Sequence, residues 1–364
     1  MIRNSRKMND FKIYLKEILE KEYETCDVFN AKVEAGMITS EKLRQFSRKI
    51  KNETYFDDKL TYVNKDDIMS NPYLHNIKIP NIQENNICLS RKRFLPDNIV
   101  AAYNEKVRDI QTFEQINSYY ICDRPLHLPG IVEADNMVCW MTVEPFEINS
   151  FADFIKTANG NVLLLGCGLG YASYMLSLKE DVKKIVVVDN NPDVIKLFKE
   201  NILCQFEQKD KIQVVESDAL EYMNHTDLNS FDYVNVDIWR DTRDMLLTYL
   251  PCLEIEKMYP NVSFSYWLES ELKQTVQKGI MAAACDFNIE FHGLIIERIG
   301  QDIIEKTPIQ SRDDFIQLFQ LNNFRDILYN WYIENKAEFE NMKKIELGEI
   351  DDLMGKIKTL QKRK

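Results

Sequence analysis

No CxxC pair occurs among the eight cysteines (Cys26, Cys88, Cys122, Cys139, Cys167, Cys204, Cys252 and Cys285), and only four histidines accompany them. The usual zinc-ligand spacings are therefore absent. Scattered single cysteines suit a reducing compartment, where they serve as small buried apolar groups. Long apolar runs are missing too: no stretch approaches the roughly 18–20 residues of a membrane-spanning helix. The opening MIRNSRKMNDFKIYL lacks the apolar core of a secretory signal. These absences lead to the expectation of a soluble, cytoplasmic protein with no membrane partner. Positive charge is in deficit, with 46 Lys/Arg against 58 Asp/Glu and a net charge of −12. The deficit falls after residue 110: residues 1–110 carry 20 Lys/Arg against 17 Asp/Glu, and the remainder 26 against 41. Such an acidic body argues against a broad nucleic-acid surface, which needs clustered positive charge. There is no internal repeat and no low-complexity segment.

What is present divides the 364 residues into four stretches. Residues 1–110 read as a mainly helical N-terminal region. Phe11, Tyr14, Leu15, Ile18 and Leu19 share one helical face, Gly36 is placed to end that region, and a second helix is expected over 40–50. Prolines and asparagines between 71 and 97 read as turns and short extended pieces, and PDNIVAAYNEKV at 96–107 as a helix with an early proline. Residues 111–157 form a β-rich segment, in which SYYIC, LHLPGIVEA and NMVCWMT read as two or three antiparallel strands. From 158 to 300 strands and helices alternate. The strands are expected at 161–166, 184–189, 212–216, 231–237 and 261–266, and the helices at 169–179, 192–205, 218–224 and 241–258. That order implies a parallel sheet covered on both faces, a doubly wound Rossmann-like α/β fold. Residues 301–364 return to helix, ending in a short stripe of Leu347, Ile350, Met354, Ile357 and Leu360.

The stretch NVLLLGCGLGYASYMLS (161–177) runs from an apolar strand through three alternating glycines into a helix. A strand, a glycine turn and a helix N-terminus gather backbone N–H groups at one spot, and the missing side chains let a ligand approach the backbone. A dinucleotide fingerprint requires a small residue where Tyr171 stands, and no Gly-Lys-Ser/Thr of a phosphate loop follows. Two acids sharpen the assignment. Asp189 ends the second strand, where a carboxylate can accept both hydroxyls of a ribose. Asp218 follows the third strand, where it can accept from an adenine amine. A nucleoside without pyrophosphate, lying across strand ends, points to S-adenosyl-L-methionine or a relative. Asp189 and Asp218 are also well placed as helix N-caps, a role compatible with ligand contact.

With VLLLGCGLG, IVVVDNNPDVIKLFKEN, IQVVESDALEYM and FDYVNVDIW, residues 158–240 resemble the core of class I S-adenosylmethionine-dependent methyltransferases. More narrowly they resemble the spermidine synthases and the methyltransferases like them, whose pre-core segment is similar to RPLHLPGIVEADNMVCWMTVEPFEI. The resemblance extends over about residues 118–300. It implies that Gly166, Cys167, Gly168 and Gly170 line the methionine and ribose end of the cofactor. Asp189 with Asn190 would hold the ribose, and Asp218 with Ala219 the adenine. Asp237, at the end of strand four, would stand where these families place a catalytic or substrate-binding acid. Asp241 and Glu144 are the further catalytic candidates; Asp241 could equally cap the following helix, and Glu144 could equally be a solvated surface residue. Tyr171 could touch the cofactor or acceptor, and Trp140 and Trp239 could flank the pocket or belong to the core.

The departures matter as well. Spermidine synthases carry an acid within the glycine loop where this chain has Leu169, a Tyr-His-Glu run in the segment aligned with Trp140, Met141 and Thr142, and an Asp-Ser followed by Asp-Pro at strand four where this chain has Asp237-Ile238-Trp239-Arg240-Asp241. Protonated polyamines need several carboxylates. Methyl transfer to a small-molecule or protein acceptor is therefore the leading expectation. The alternatives are aminopropyl transfer from decarboxylated S-adenosylmethionine, and a non-catalytic scaffold with a vestigial nucleoside site. A homo-oligomer formed through the helical ends is compatible with each.

Overall fold

The computed structural model describes residues 6–34, 59–95, 99–101, 107–116, 118–135, 139–240, 242–287 and 293–361. The helix expected over 40–50 and the stop at Gly36 lie outside them. Helix α1 (Arg6–Glu34) opens the chain. After it come β1 (Lys59–Val63), the one-turn helices α2 (Lys65–Met69) and α3 (Pro72–Asn76), and strands β2 (Ile82–Glu84) and β3 (Ile87–Phe94). Next are β4 (Ile99–Ala101), β5 (Val107–Arg108), β6 (Gln115–Ile116), β7 (Ser118–Cys122), β8 (Leu126–Glu133) and β9 (Cys139–Thr142).

The N-terminal region is thus richer in strand than its sequence pattern suggests. Within the expected helix at 96–107, Ile99–Ala101 is a strand paired antiparallel with β7. Its β-branched residues find a partner there, and that pairing outweighs the helical spacing. The two or three antiparallel strands expected between 118 and 142 are three, divided between two sheets. β7 lies between β1 and β4, whereas β8 and β9 complete an antiparallel sheet ordered β2-β3-β8-β9.

Two short helices, α4 (Pro145–Ser150) and α5 (Ala152–Thr157), lead into the alternating region. It runs β10 (Gly160–Leu165), α6 (Tyr171–Ser177), β11 (Val182–Asp189), α7 (Pro192–Asn201), β12 (Ile212–Glu216), α8 (Ala219–His225), β13 (Tyr233–Val236), α9 (Thr242–Met258) and β14 (Ser263–Tyr266). Every strand falls within two residues of its expected bounds. All pairings are parallel, in the order β12-β11-β10-β13-β14. Chain order in the sheet is therefore 3-2-1-4-5, a doubly wound Rossmann-like arrangement that reverses direction between β10 and β13.

Strand periodicity sets the two faces. Leu163, Leu165, Val186, Val188, Val234 and Val236 belong to one buried cluster; Val162, Leu164, Ile185 and Val187 belong to the other. The chain then closes over the first face with α10 (Glu269–Ala284), α11 (Leu294–Lys306), α12 (Arg312–Phe319) and α13 (Phe324–Gln361). Helix α13 is kinked at Asn335, whose φ of −116° leaves the helical region and whose side-chain amide donates to the Trp331 carbonyl at 2.8 Å. Helix α1 packs on α10 through the expected face, with Phe11, Leu15, Ile18 and Leu19 buried. A buried ion cluster pins it there. Arg108 donates to Glu22 at 2.6 and 3.1 Å, and Lys278 of α10 lies 3.6 Å from the same carboxylate. Among the described residues, no helix is long and apolar enough to cross a membrane.

Candidate functional site

The crevice opens where the sheet order reverses, at the carboxyl ends of β10 and β13, the place where open α/β sheets take ligands. The chain leaves β10 through a loop in which Gly166, Gly168 and Gly170 have φ of +104°, +47° and +72°. Two of these glycines are demanded by the protein's own packing. A Cβ on Gly166 would stand 2.0 Å from the Asp237 carbonyl oxygen, and one on Gly170 would stand 2.3 Å from the Phe198 ring. Gly168 differs, because a Cβ there would meet the Met141 sulfur at 2.5 Å. That sulfur also accepts from the Leu169 N–H at 3.3 Å. A flexible thioether carried by β9 thus occupies the loop's outer donor. Leu169 itself is fully buried.

The loop is braced from both ends. Asp189, at the tip of β11, accepts from the Cys167 N–H at 2.9 Å with Oδ2 and from the Asn191 N–H at 2.8 Å with Oδ1. Its carboxyl is nevertheless raised above the ordinary range, because burial outweighs these donors. Behind the loop, the Tyr73 hydroxyl of α3 donates to the Leu169 carbonyl at 2.6 Å. Asn71 and Asn76 donate to the Tyr171 and Tyr174 hydroxyls at 3.3 and 2.9 Å.

A small cavity of about 30 Å³ lies between the loop and β13. It brings together Gly166, Cys167, Gly168, Gly170, Tyr171 and Asp237 from the expected set, and it adds Glu147 and Asn235. Glu147 sits in the first turn of α4 and is 6% exposed. Burial, then Asp237, then Glu144 push its carboxyl well above the ordinary range. Burial and then Asp189 push Asp237 up to about 7. Glu147 escaped the sequence reading, although its signal was there: MTVEPFE places Glu144 and Glu147 three apart, on one face of the helix that Pro145 begins.

The other candidates lie outside this cavity. Glu144 is the half-buried N-cap residue of α4 and acts on Glu147 through its charge. Asn190 and Asp218 are exposed at the ends of β11 and β12, with Ala219 buried beside Asp218. Asp218 caps α8 by accepting from the Glu221 N–H at 3.0 Å. Asp241 lies outside the described residues. Trp239 is a core residue whose indole donates to the Trp267 carbonyl at 3.0 Å. Trp140 is half-buried and donates to Glu133 at 2.5 Å. Neither tryptophan lines the cavity. Among the described residues, no group of three or more His, Cys, Asp or Glu is arranged to hold a metal ion.

The family model described as "Methyltransferase small domain" matches residues 149–234, the segment from α4 to β13 that carries the glycine loop. The match coincides with strands β10 to β13 of the parallel 3-2-1-4-5 sheet. No curated protein sequence matches the chain significantly. Among solved structures, the chain is similar to a Klebsiella pneumoniae protein described as an O-methyltransferase, at 17% identity over 29% of this chain and 48% of that one, with a TM-score of 0.24. It is similar to the methyltransferase domain of bacterial CtHen1-C at 22% identity, over 25% and 47% of the two chains, with a TM-score of 0.21. It is also similar to the spermidine synthase of Thermotoga maritima at 13% identity, over 55% and 72%, with a TM-score of 0.30. The chain spans about half the length of the first two of these proteins.

Proposed function

We propose that the protein is an S-adenosyl-L-methionine-dependent methyltransferase acting on a small-molecule or protein acceptor. One observation carries this reading. In a sheet ordered 3-2-1-4-5, the glycine loop after the first strand is tied by its Cys167 N–H to Asp189 at the end of the second. Each Asp189 oxygen accepts one backbone N–H and keeps a second lone pair, so the carboxylate can receive ribose hydroxyls while it holds the loop. Asp218 can cap α8 with one oxygen and meet an adenine amine with the other. The Leu169 N–H, once the Met141 sulfur moves aside, is a donor for the cofactor's amino-acid end. When bound, the cofactor supplies a sulfonium methyl, which passes to the acceptor's lone pair as the sulfur leaves as a neutral thioether. The domain's task is alignment, because a good nucleophile needs proximity more than a strong base. Asp237 and Glu147 flank the site where the acceptor would stand.

Calorimetric titration with S-adenosylmethionine, S-adenosylhomocysteine, decarboxylated S-adenosylmethionine, methylthioadenosine and NAD tests the proposal, with Asp189→Ala as control. Binding of the first two, lost in the variant, is the expected result. Preference for the decarboxylated form would replace methyl transfer by aminopropyl transfer. Binding of none by folded protein would overturn the cofactor reading and leave a scaffold.

A further inference from the structure

Helix α13 outruns the helix beside it. Lys306 pairs with Glu334, Arg298 with Glu338, and the Ile295 N–H donates to Glu346 at 2.9 Å. As α13 advances, its partners therefore move back toward the start of α11 at Leu294. From Glu346 the helix continues to Gln361, another fifteen residues, or about 22 Å at the usual rise per residue. Where this extension begins, Ile345 and Leu347 are 50% and 43% exposed, and a Cβ on Gly348 would meet nothing within 4 Å. A helix of that length is marginal in water without packing, and Gly348 and Gly355 weaken it further. The sequence supplies a face to be packed. Ile350 and Ile357 stand seven apart, as do Leu353 and Leu360, giving the alternation of three and four that makes a helix seam.

We propose that this extension docks on the same segment of a second copy, running antiparallel, so that the protein is a two-fold dimer. Charge selects both the partner and the direction. Glu349, Asp351 and Asp352 lie in the first half of the extension and Lys356 and Lys358 in the second, with Lys362, Arg363 and Lys364 next in sequence. A parallel pair would set acid on acid and base on base. An antiparallel pair sets each block against its opposite, and the segment becomes complementary to itself. The seam agrees. When Ile350 of one copy takes the level of Leu360 in the other, Leu353 takes the level of Ile357, and all four apolar positions are matched at once. A helix of some other protein would demand no such symmetry about the middle of the segment. The antiparallel direction also puts the two bodies at opposite ends of the helix pair, which separates two chains of net charge −12.

The test is sedimentation equilibrium of the full chain over a concentration series. The wild type is expected to rise from the monomer toward twice its mass. Ile350→Asp combined with Ile357→Asp should leave a monomer whose urea midpoint matches that of the wild type measured at a concentration where it too is monomeric. Glu349→Lys combined with Asp352→Lys tests the direction. It makes the segment uniformly basic and lowers the net negative charge of the chain, so general repulsion between the bodies falls. An antiparallel dimer should nevertheless weaken about fivefold or more, whereas a parallel one would hold or tighten. A wild type that stays monomeric throughout, or a dimer that survives the two aspartates, would overturn the docking face. A dimer that the two lysines do not weaken would overturn the antiparallel arrangement.

Discussion

The Leu169 amide donates to the Met141 sulfur across the mouth of the glycine loop, at 3.3 Å. Sulfur is a weak acceptor and methionine a flexible side chain, so this contact is cheap to break. It nevertheless covers the face of Gly168 that a ligand would need. Any cofactor reaching the loop must displace it, and binding is weakened by the fraction of chains in which the sulfur is seated. Met141→Ala should therefore bind S-adenosylhomocysteine about three- to tenfold more tightly, whereas Met141→Leu, which keeps the bulk, should not. Calorimetry on the two variants checks this, and unchanged affinity in the alanine variant would show that the side chain does not cover the site.

Asp237 gives the fold a pH dependence. Its carboxyl is raised from 3.8 to about 7, first by burial and then by the charge of Asp189. Between those two values the folded chain keeps a proton that the unfolded chain releases. Stability therefore falls as pH rises through that interval and levels off above it. Glu147 is shifted in the same direction and adds to the slope. The urea midpoint of the wild type should drop between about pH 4 and pH 7, and that of Asp237→Asn should drop less. An equally steep profile in the variant would mean that the proton resides elsewhere.

The ion cluster under α1 predicts an asymmetric pair of variants. Removing Glu22 leaves Arg108 buried at 4% exposure without its carboxylate. Breaking one side of such a pair costs about 3–5 kcal/mol. Replacing every charged member of the cluster with apolar residues of similar volume costs much less. Glu22→Ala should lower the chemical-denaturation midpoint sharply, and Glu22→Leu combined with Arg108→Met and Lys278→Met should recover most of the loss, because Lys278 shares the same carboxylate. A single variant as stable as the wild type would show that α1 is held by its apolar face alone.

Local signals made the core legible. Each of its strands is a short run rich in aliphatic or aromatic residues and bounded by turn residues, and the glycines and Asp189 stand at the strand ends of the crevice. The signal failed wherever distant pairing decides the outcome. Lys59–Val63 becomes a strand by lying parallel to Ser118–Cys122, and Ile99–Ala101 by pairing with that same strand. No window of sequence contains both partners. Glu147 shows the same limit at the site. Its spacing from Glu144 is plain, but its burial depends on α4 packing near a strand almost ninety residues later. Trp239 shows the converse: it follows the strand-four acid in sequence yet turns into the core, where its indole finds the Trp267 carbonyl.

The hydroxyl of Tyr73 reaches the Leu169 carbonyl from a helix that lies well upstream of residue 149. Recognisable sequence and mechanical integrity therefore have different boundaries in this protein. An excised fragment of residues 149–234 would keep all three glycines and Asp189. It would lose the tyrosine that anchors the loop's carbonyl, the asparagines that anchor Tyr171 and Tyr174, and the methionine that covers its outer amide. The portable part of this molecule is its pattern; the shape of its ligand loop is supplied by neighbours that the pattern does not include.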